Sequence, residues 1–153
     1  AIRRILPVQI IIRNLQKKIS VSQKKAKTLI RKVLASERIH RSGEITVCFV
    51  DDTQIKELNL WYLGELSATD VISFQTESSK YLLVADIAVS CDTAKRQARI
   101  FKTSPLYEVY LYVVHGVLHA LGYDDNTDRK RAIMQKKAES ILTAAGISVS
   151  CDV

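Results

Sequence analysis

Several things are scarce in this 153-residue sequence, and each scarcity excludes something. Two Pro and five Gly, beside 47% hydrophobic and 25% charged residues, are too few for a disordered or low-complexity scaffold. The three cysteines, Cys48, Cys91 and Cys151, stand far apart with no C-x-x-C pair. That excludes a zinc ribbon or redox motif and predicts reduced thiols, in the core or at the surface, in a reducing compartment. No stretch approaches the roughly 18 apolar residues a membrane helix needs. Arg3, Arg4 and the run from Ile5 to Ile12 have the outline of a signal peptide, but Gln9 interrupts the run and no small-residue cleavage site comes after it. The expectation is one cytoplasmic domain over residues 1–153, with no membrane partner.

Acidic residues are scarce at one end. Residues 1–41 carry twelve Lys or Arg and one acid, Glu37, a local balance of +11 within a total of +7, so the remainder is at −4. A basic segment of this strength suits nucleic acid, acidic lipid or the ribosome without choosing among them. Lys24, Lys25, Lys27 and Arg31 fall on one predicted helix, from Ser20 or Ser22 to about Ala35. Such a face is most often simply solvated, but on an RNA-holding protein it offers phosphate contacts.

Hydrophobic patterning predicts strands at Val8–Arg13, Glu44–Val50, Val71–Gln75 and about Leu82–Ser90, with Ser42-Gly43 as a turn. Further helices are predicted from Gln54 to Leu63, from Asp92 to Phe101 and from Pro105 to Leu121. A last one runs from Asn126-Thr127-Asp128 to Ala145, with Ile133, Met134, Ala138, Ile141 and Leu142 facing inward. The third of these is apolar nearly all round, as a central buried helix should be. The fold class is α+β: a mixed four-stranded sheet flanked by about five helices.

That apolar helix holds two histidines four apart, His115-Gly-Val-Leu-His119. At 3.6 residues per turn both imidazoles leave one face and can share a metal ion. Gly122 then stops the helix, and Asp125, ten residues after His115, can return to the same ion. The spacing is that of zinc proteases of the metzincin type, with a carboxylate in place of the third histidine. Two imidazoles, one carboxylate and an open position make a hydrolytic zinc site, and the anionic ligand makes manganese competitive. Zinc proteases place a glutamate base directly after the first histidine, whereas this chain has Gly116, which disfavours peptide hydrolysis. Cleavage of a phosphodiester needs mostly charge stabilisation and suits the site better.

The segment His115-Gly-Val-Leu-His-Ala-Leu-Gly-Tyr-Asp-Asp125 resembles the signature of the YbeY family of bacterial endoribonucleases, H-G-x-L-H-L-x-G-Y-D-H. Leu58-Asn59, Tyr62, Thr69-Asp-Val-Ile-Ser-Phe74, Ala85-Asp86-Ile87 and Glu108 extend the resemblance over most of the chain. It implies a zincin-like metal hydrolase: a zinc-dependent, single-strand-specific endoribonuclease acting in 16S ribosomal RNA 3′-end maturation and ribosome quality control, with ribosomal RNA and the small ribosomal subunit as partners. By position, His115, His119 and Asp125 would bind zinc. The departures are Asp125 for the usual His, Leu63 for an arginine thought necessary for activity, Gln75 for Pro and Ala85 for Gly. Arg96 and Arg99 are candidates to replace the missing arginine against RNA, and Asp124 or a second water is the candidate catalytic base. His40 is read as a surface residue. The competing readings are a metalloprotease-like zinc hydrolase and a weakly active ribosome-associated RNA-binding protein with a structural metal.

Overall fold

The structure is a computed structural model that describes residues 6–63 and 70–150. The expectations placed on the side chains of Tyr62 and Leu63, on Thr69 and its preceding loop, and on Cys151 lie outside the described residues. The elements run β1 (Gln9–Asn14), α1 (Gln23–Ser36), β2 (Ser42–Val50), α2 (Asp52–Leu63), β3 (Val71–Ser78), β4 (Leu82–Ser90), α3 (Cys91–Phe101), α4 (Pro105–Ala120) and α5 (Asp128–Ala144). Among the described residues, four strands and five helices give the expected α+β class.

The strands form one sheet in the order β1-β2-β4-β3, parallel except for β3, which runs antiparallel to β4 at the edge. Alternation on β2 decides its faces: Ile45, Val47 and Phe49 are fully buried, and they stand beside Ala85, Ile87 and Val89 of β4. These side chains and the apolar faces of α1 and α4 make the main core. The opposite face is covered more thinly, by Ile55 of α2 over Val50, Ile72 and Ala88.

Helix boundaries have local chemical causes. Ser22, Ser90, Ser104 and Thr127 each cap a helix by accepting the N–H three residues on, and Pro105 suits the first turn of α4. Asp51 and Gln54 cap α2 reciprocally, each accepting the other's backbone N–H at 2.8 and 2.9 Å. Helix α4 is the hub, touching α1, α3, α5, β3 and β4.

Three expectations need correction. Ser42-Gly43 is not a turn but the start of β2; Gly43 adopts φ +138°, and a Cβ there would stand 1.8 Å from the Leu83 carbonyl oxygen. Only glycine permits that approach. Strand β3 runs past Gln75 to Ser78, through a pairing irregularity that separates Gln75 from Glu77. Ile133 does not face inward with Met134, Ala138, Ile141 and Leu142; it is 44% exposed, because α5 buries a narrow stripe centred on those four.

Candidate functional site

In the second half of α4 every residue from Leu111 to Ala120 is buried except His115 and His119, which open to solvent together. What seats them is Gly116, whose missing side chain lets the helix lie directly on the sheet. A Cβ there would be 2.6 Å from Ile87 Cγ2 and 3.1 Å from Val71 Cγ2. Ser73 Oγ donates to the Gly116 carbonyl at 2.9 Å. Position 116 thus faces the sheet, which is a second reason it cannot supply a general base.

The end of α4 sets the path of residues 121–125. Gly122, at φ +103°, donates to the His119 carbonyl, and Tyr123 donates to that of Leu118, both at 3.0 Å. This left-handed stop turns the chain back along the helix. The Tyr123 carbonyl now faces the His119 ring, with Nδ1 at 3.0 Å. A carbonyl can only accept, so Nδ1 carries the proton and Nε2 presents its lone pair. That lone pair faces Asp125 Oδ2 at 3.6 Å. Tyr123 is itself held at a distance in sequence: its hydroxyl donates to Glu37 Oε2 at 2.9 Å, and Lys137 sits 3.3 Å from Glu37 Oε1 and 5.4 Å from the Tyr123 ring centre.

An imidazole nitrogen and a carboxylate oxygen at this distance can share a cation. Ligands bound to zinc at 2.0–2.1 Å with tetrahedral angles stand about 3.3 Å from each other, so the spacing suits joint ligation. Burial holds His115 below the usual imidazole range, against the nearby charges of Asp70 and Asp125, and so keeps it neutral as a ligand must be. Gln135 lines the groove with His115, and its Nε2 donates to Glu139 Oε1 at 2.9 Å. The donor chemistry therefore fits a metal. As the side chains stand, no three His, Cys, Asp or Glu residues among the described ones are gathered into a metal-holding group.

His115 and Asp125 open into a groove of about 790 Å³ between α3, α4 and α5, whose wall also includes Asp70, Glu108, Tyr112 and Arg96. Glu108, two turns before His115 on the same face, is 3% exposed and accepts from Thr103 Oγ1 at 2.6 Å; burial pushes its carboxyl up. Arg96 is already engaged, donating to Asp52 Oδ2 at 2.6 Å and to Thr93 Oγ1 at 2.9 Å. Its hydrogen bond, opposed by burial, holds the Asp52 carboxyl below the usual range.

The other expected residues fall elsewhere. Asp124 is exposed, accepts the Asp125 N–H at 2.8 Å and is not part of the groove wall. Lys24, Lys27 and Arg31 line a separate shallow depression on α1 of about 380 Å³, Lys25 is exposed beside them, and Arg31 donates to the Val8 carbonyl at 2.6 Å. Arg99 is exposed on α3, and His40 is exposed as expected. It is α3, not the more basic α1, that walls the groove with His115. The reading of single motifs misses Glu37, Gln135 and Lys137, because they reach the site through contacts distant in sequence.

The chain is an α+β domain with a histidine pair and a returning carboxylate beside an open groove. Comparison with known proteins narrows the class. The model of the family Endoribonuclease YbeY matches residues 11–146, so the chain belongs to that family of phosphodiester hydrolases. An Endoribonuclease YbeY of Desulforamulus reducens is 37% identical over 150 residues, covering 91% of this chain and 98% of that protein. One of Pelotomaculum thermopropionicum is 35% identical over 143 residues, covering 87% and 94%. The solution structure of a Thermotoga maritima protein shares the fold at TM-score 0.57 and 23% identity, over 96% of this chain and all of that one. Among the described residues no helix is long and apolar enough to cross a membrane.

Proposed function

We propose that the protein is a zinc-dependent endoribonuclease that cuts single-stranded RNA, with 16S ribosomal RNA 3′-end maturation and ribosome quality control in the cytoplasm as its setting. The observation that carries the metal reading is the His119 ring, its Nδ1 held by Tyr123 and its Nε2 aimed at Asp125 Oδ2. His115, His119 and Asp125 would hold the ion. When bound, zinc supplies Lewis-acid charge for the phosphate and lowers the pKa of water. The chain's own contribution is positional. Tyr123 sets the orientation of the His119 ring, Gly116 seats the helix of both histidines, and the groove beside His115 admits a strand. Asp125 in place of histidine lowers the charge of the site by about one unit, which favours manganese as a substitute ion.

The test is to incubate zinc-loaded protein, the chelated protein and a His115→Ala/His119→Ala variant with single-stranded ribosomal RNA and, separately, with an unfolded protein. RNA cleavage by the zinc-loaded parent alone supports the reading. Cleavage of the unfolded protein would indicate a protease. RNA binding without cleavage, with a lower melting temperature in the variant, would indicate a binding protein with a structural metal.

A further inference from the structure

The groove continues past the histidines along α4, from His115 back to Glu108, seven residues or about 10 Å of helix rise. At its far mouth stands Phe101, the last residue of α3, with 63% of its surface in water. The ring is held at a corner. Lys102 takes a left-handed conformation at φ 56°, Thr103 donates to the Ala98 carbonyl at 3.0 Å, and Ser104 then caps α4. The buried face of α3 is Cys91, Thr93, Ala94 and Ala98; of its cations Lys95, Arg96, Arg99 and Lys102, Arg96 lines the groove with Phe101, and Arg131 of α5 lines it too.

An exposed aromatic ring beside cations is the pairing by which proteins hold unpaired nucleic acid: the ring takes a base, the cations take phosphates. The groove itself assigns these roles. Its wall sets Phe101, Tyr107 and Leu111 beside the cations Arg96 and Arg131, so it offers an uncharged base an apolar seat and a phosphate a positive partner. The volume, about 790 Å³, lies in the range of sites for small organic ligands and admits one nucleotide beside the histidine end.

We propose that Phe101 is the stacking platform of a nucleotide subsite, on which one unpaired base of the RNA lies while Arg96 and Arg131 guide its phosphates toward His115 and Asp125. The proposal rests on the nuclease reading and gives it a physical basis for strand choice. A base in a duplex is covered on both faces and cannot lie on the ring, whereas any unpaired base can, with little regard to sequence.

The experiment uses the full zinc-loaded chain and a labelled single-stranded RNA, measuring Kd by anisotropy together with KM and kcat for cleavage. Phe101→Ala is expected to raise Kd and KM about tenfold, the equivalent of ~1.4 kcal/mol, with kcat within about twofold and the melting temperature unchanged. Phe101→Tyr should keep the parent's constants. Abasic nucleotides, introduced one at a time, should weaken the parent at one position and leave Phe101→Ala no weaker there. If the parent cuts RNA and Phe101→Ala binds and cuts with the parent's constants, the subsite is overturned and the nuclease reading stands. If the parent neither binds nor cuts RNA, both fall. Loss of self-association in Phe101→Ala with unchanged RNA affinity would make the ring a protein contact and overturn the proposal.

Discussion

Replacing Gly116 by Ala tests whether the histidine helix is seated by the absence of one methyl group. The added Cβ would fall 2.6 Å from Ile87 Cγ2 and 3.1 Å from Val71 Cγ2. Ile87 is 1% exposed and rooted in β4, so it has little room to retreat. Overpacking of this kind costs about 1–3 kcal/mol, while alanine returns up to about 1 kcal/mol through its helix propensity. A net loss of about 1–2 kcal/mol is expected in urea denaturation, a melting temperature lower by about 3–6 °C. The helix must lift by some tenths of an ångström, carrying His115 and His119 with it, so RNA cleavage should fall by more than stability alone explains. In an Ile87→Ala background the obstructing atom is gone, and the same substitution should cost at least ~1 kcal/mol less, read as coupling in a double-mutant cycle. A Gly116→Ala protein as stable as the parent, or more so, would refute this seating. Coupling near zero would show that Ile87 is not the obstacle.

Three further outcomes are expected. Tyr123→Phe removes the hydroxyl that holds the loop to Glu37 but leaves the carbonyl that faces His119. Zinc affinity by chelator competition should fall about three- to tenfold, and an unchanged affinity would mean the link does not set the ring. Glu108 is pushed up by burial, so the folded state holds its proton more tightly than the unfolded one, and stability falls as pH rises through the interval from the ordinary to the raised pKa. Glu108→Gln should therefore gain stability over the parent at pH 7.5 and lose that advantage near pH 4; a difference independent of pH would contradict a burial effect. Changing Lys24, Lys25 and Lys27 to Gln should weaken RNA binding and reduce the slope of log K against log salt by up to about 2, without moving the cleavage position, since these residues lie outside the groove. An unchanged slope would return them to a solvated face.

What could be read from sequence was what is local. The i, i+4 histidines, the glycine stop and the return of Asp125 are consequences of helix period and capping, and the structure brings Asp125 to within 3.6 Å of His119. The central position of α4 was legible in its lack of a polar face. Gly43 was misread because a Ser-Gly pair signals a turn, while the actual demand comes from Leu83 on a neighbouring strand. Ile133 was misassigned because an apolar residue one step off the stripe looks the same in a periodic pattern as one within it. The cations of α1 stand out by counting charges; which helix borders the groove is a matter of packing, and no count reveals it. Glu37 stood out only as the lone acid in a basic segment, with nothing to show that it reaches Tyr123.

That last contact spans 86 residues of chain. A peptide containing the whole histidine motif, but beginning after α1, would fold its glycine stop and lack the partner that pins it. The motif is written in eleven consecutive residues, yet its registration depends on both ends of the domain meeting. Assembly of the site must accordingly wait for the longest loops to close, the slow part of folding. A chain that has made every helix but not yet joined α1 to α5 would carry its histidines without their aim.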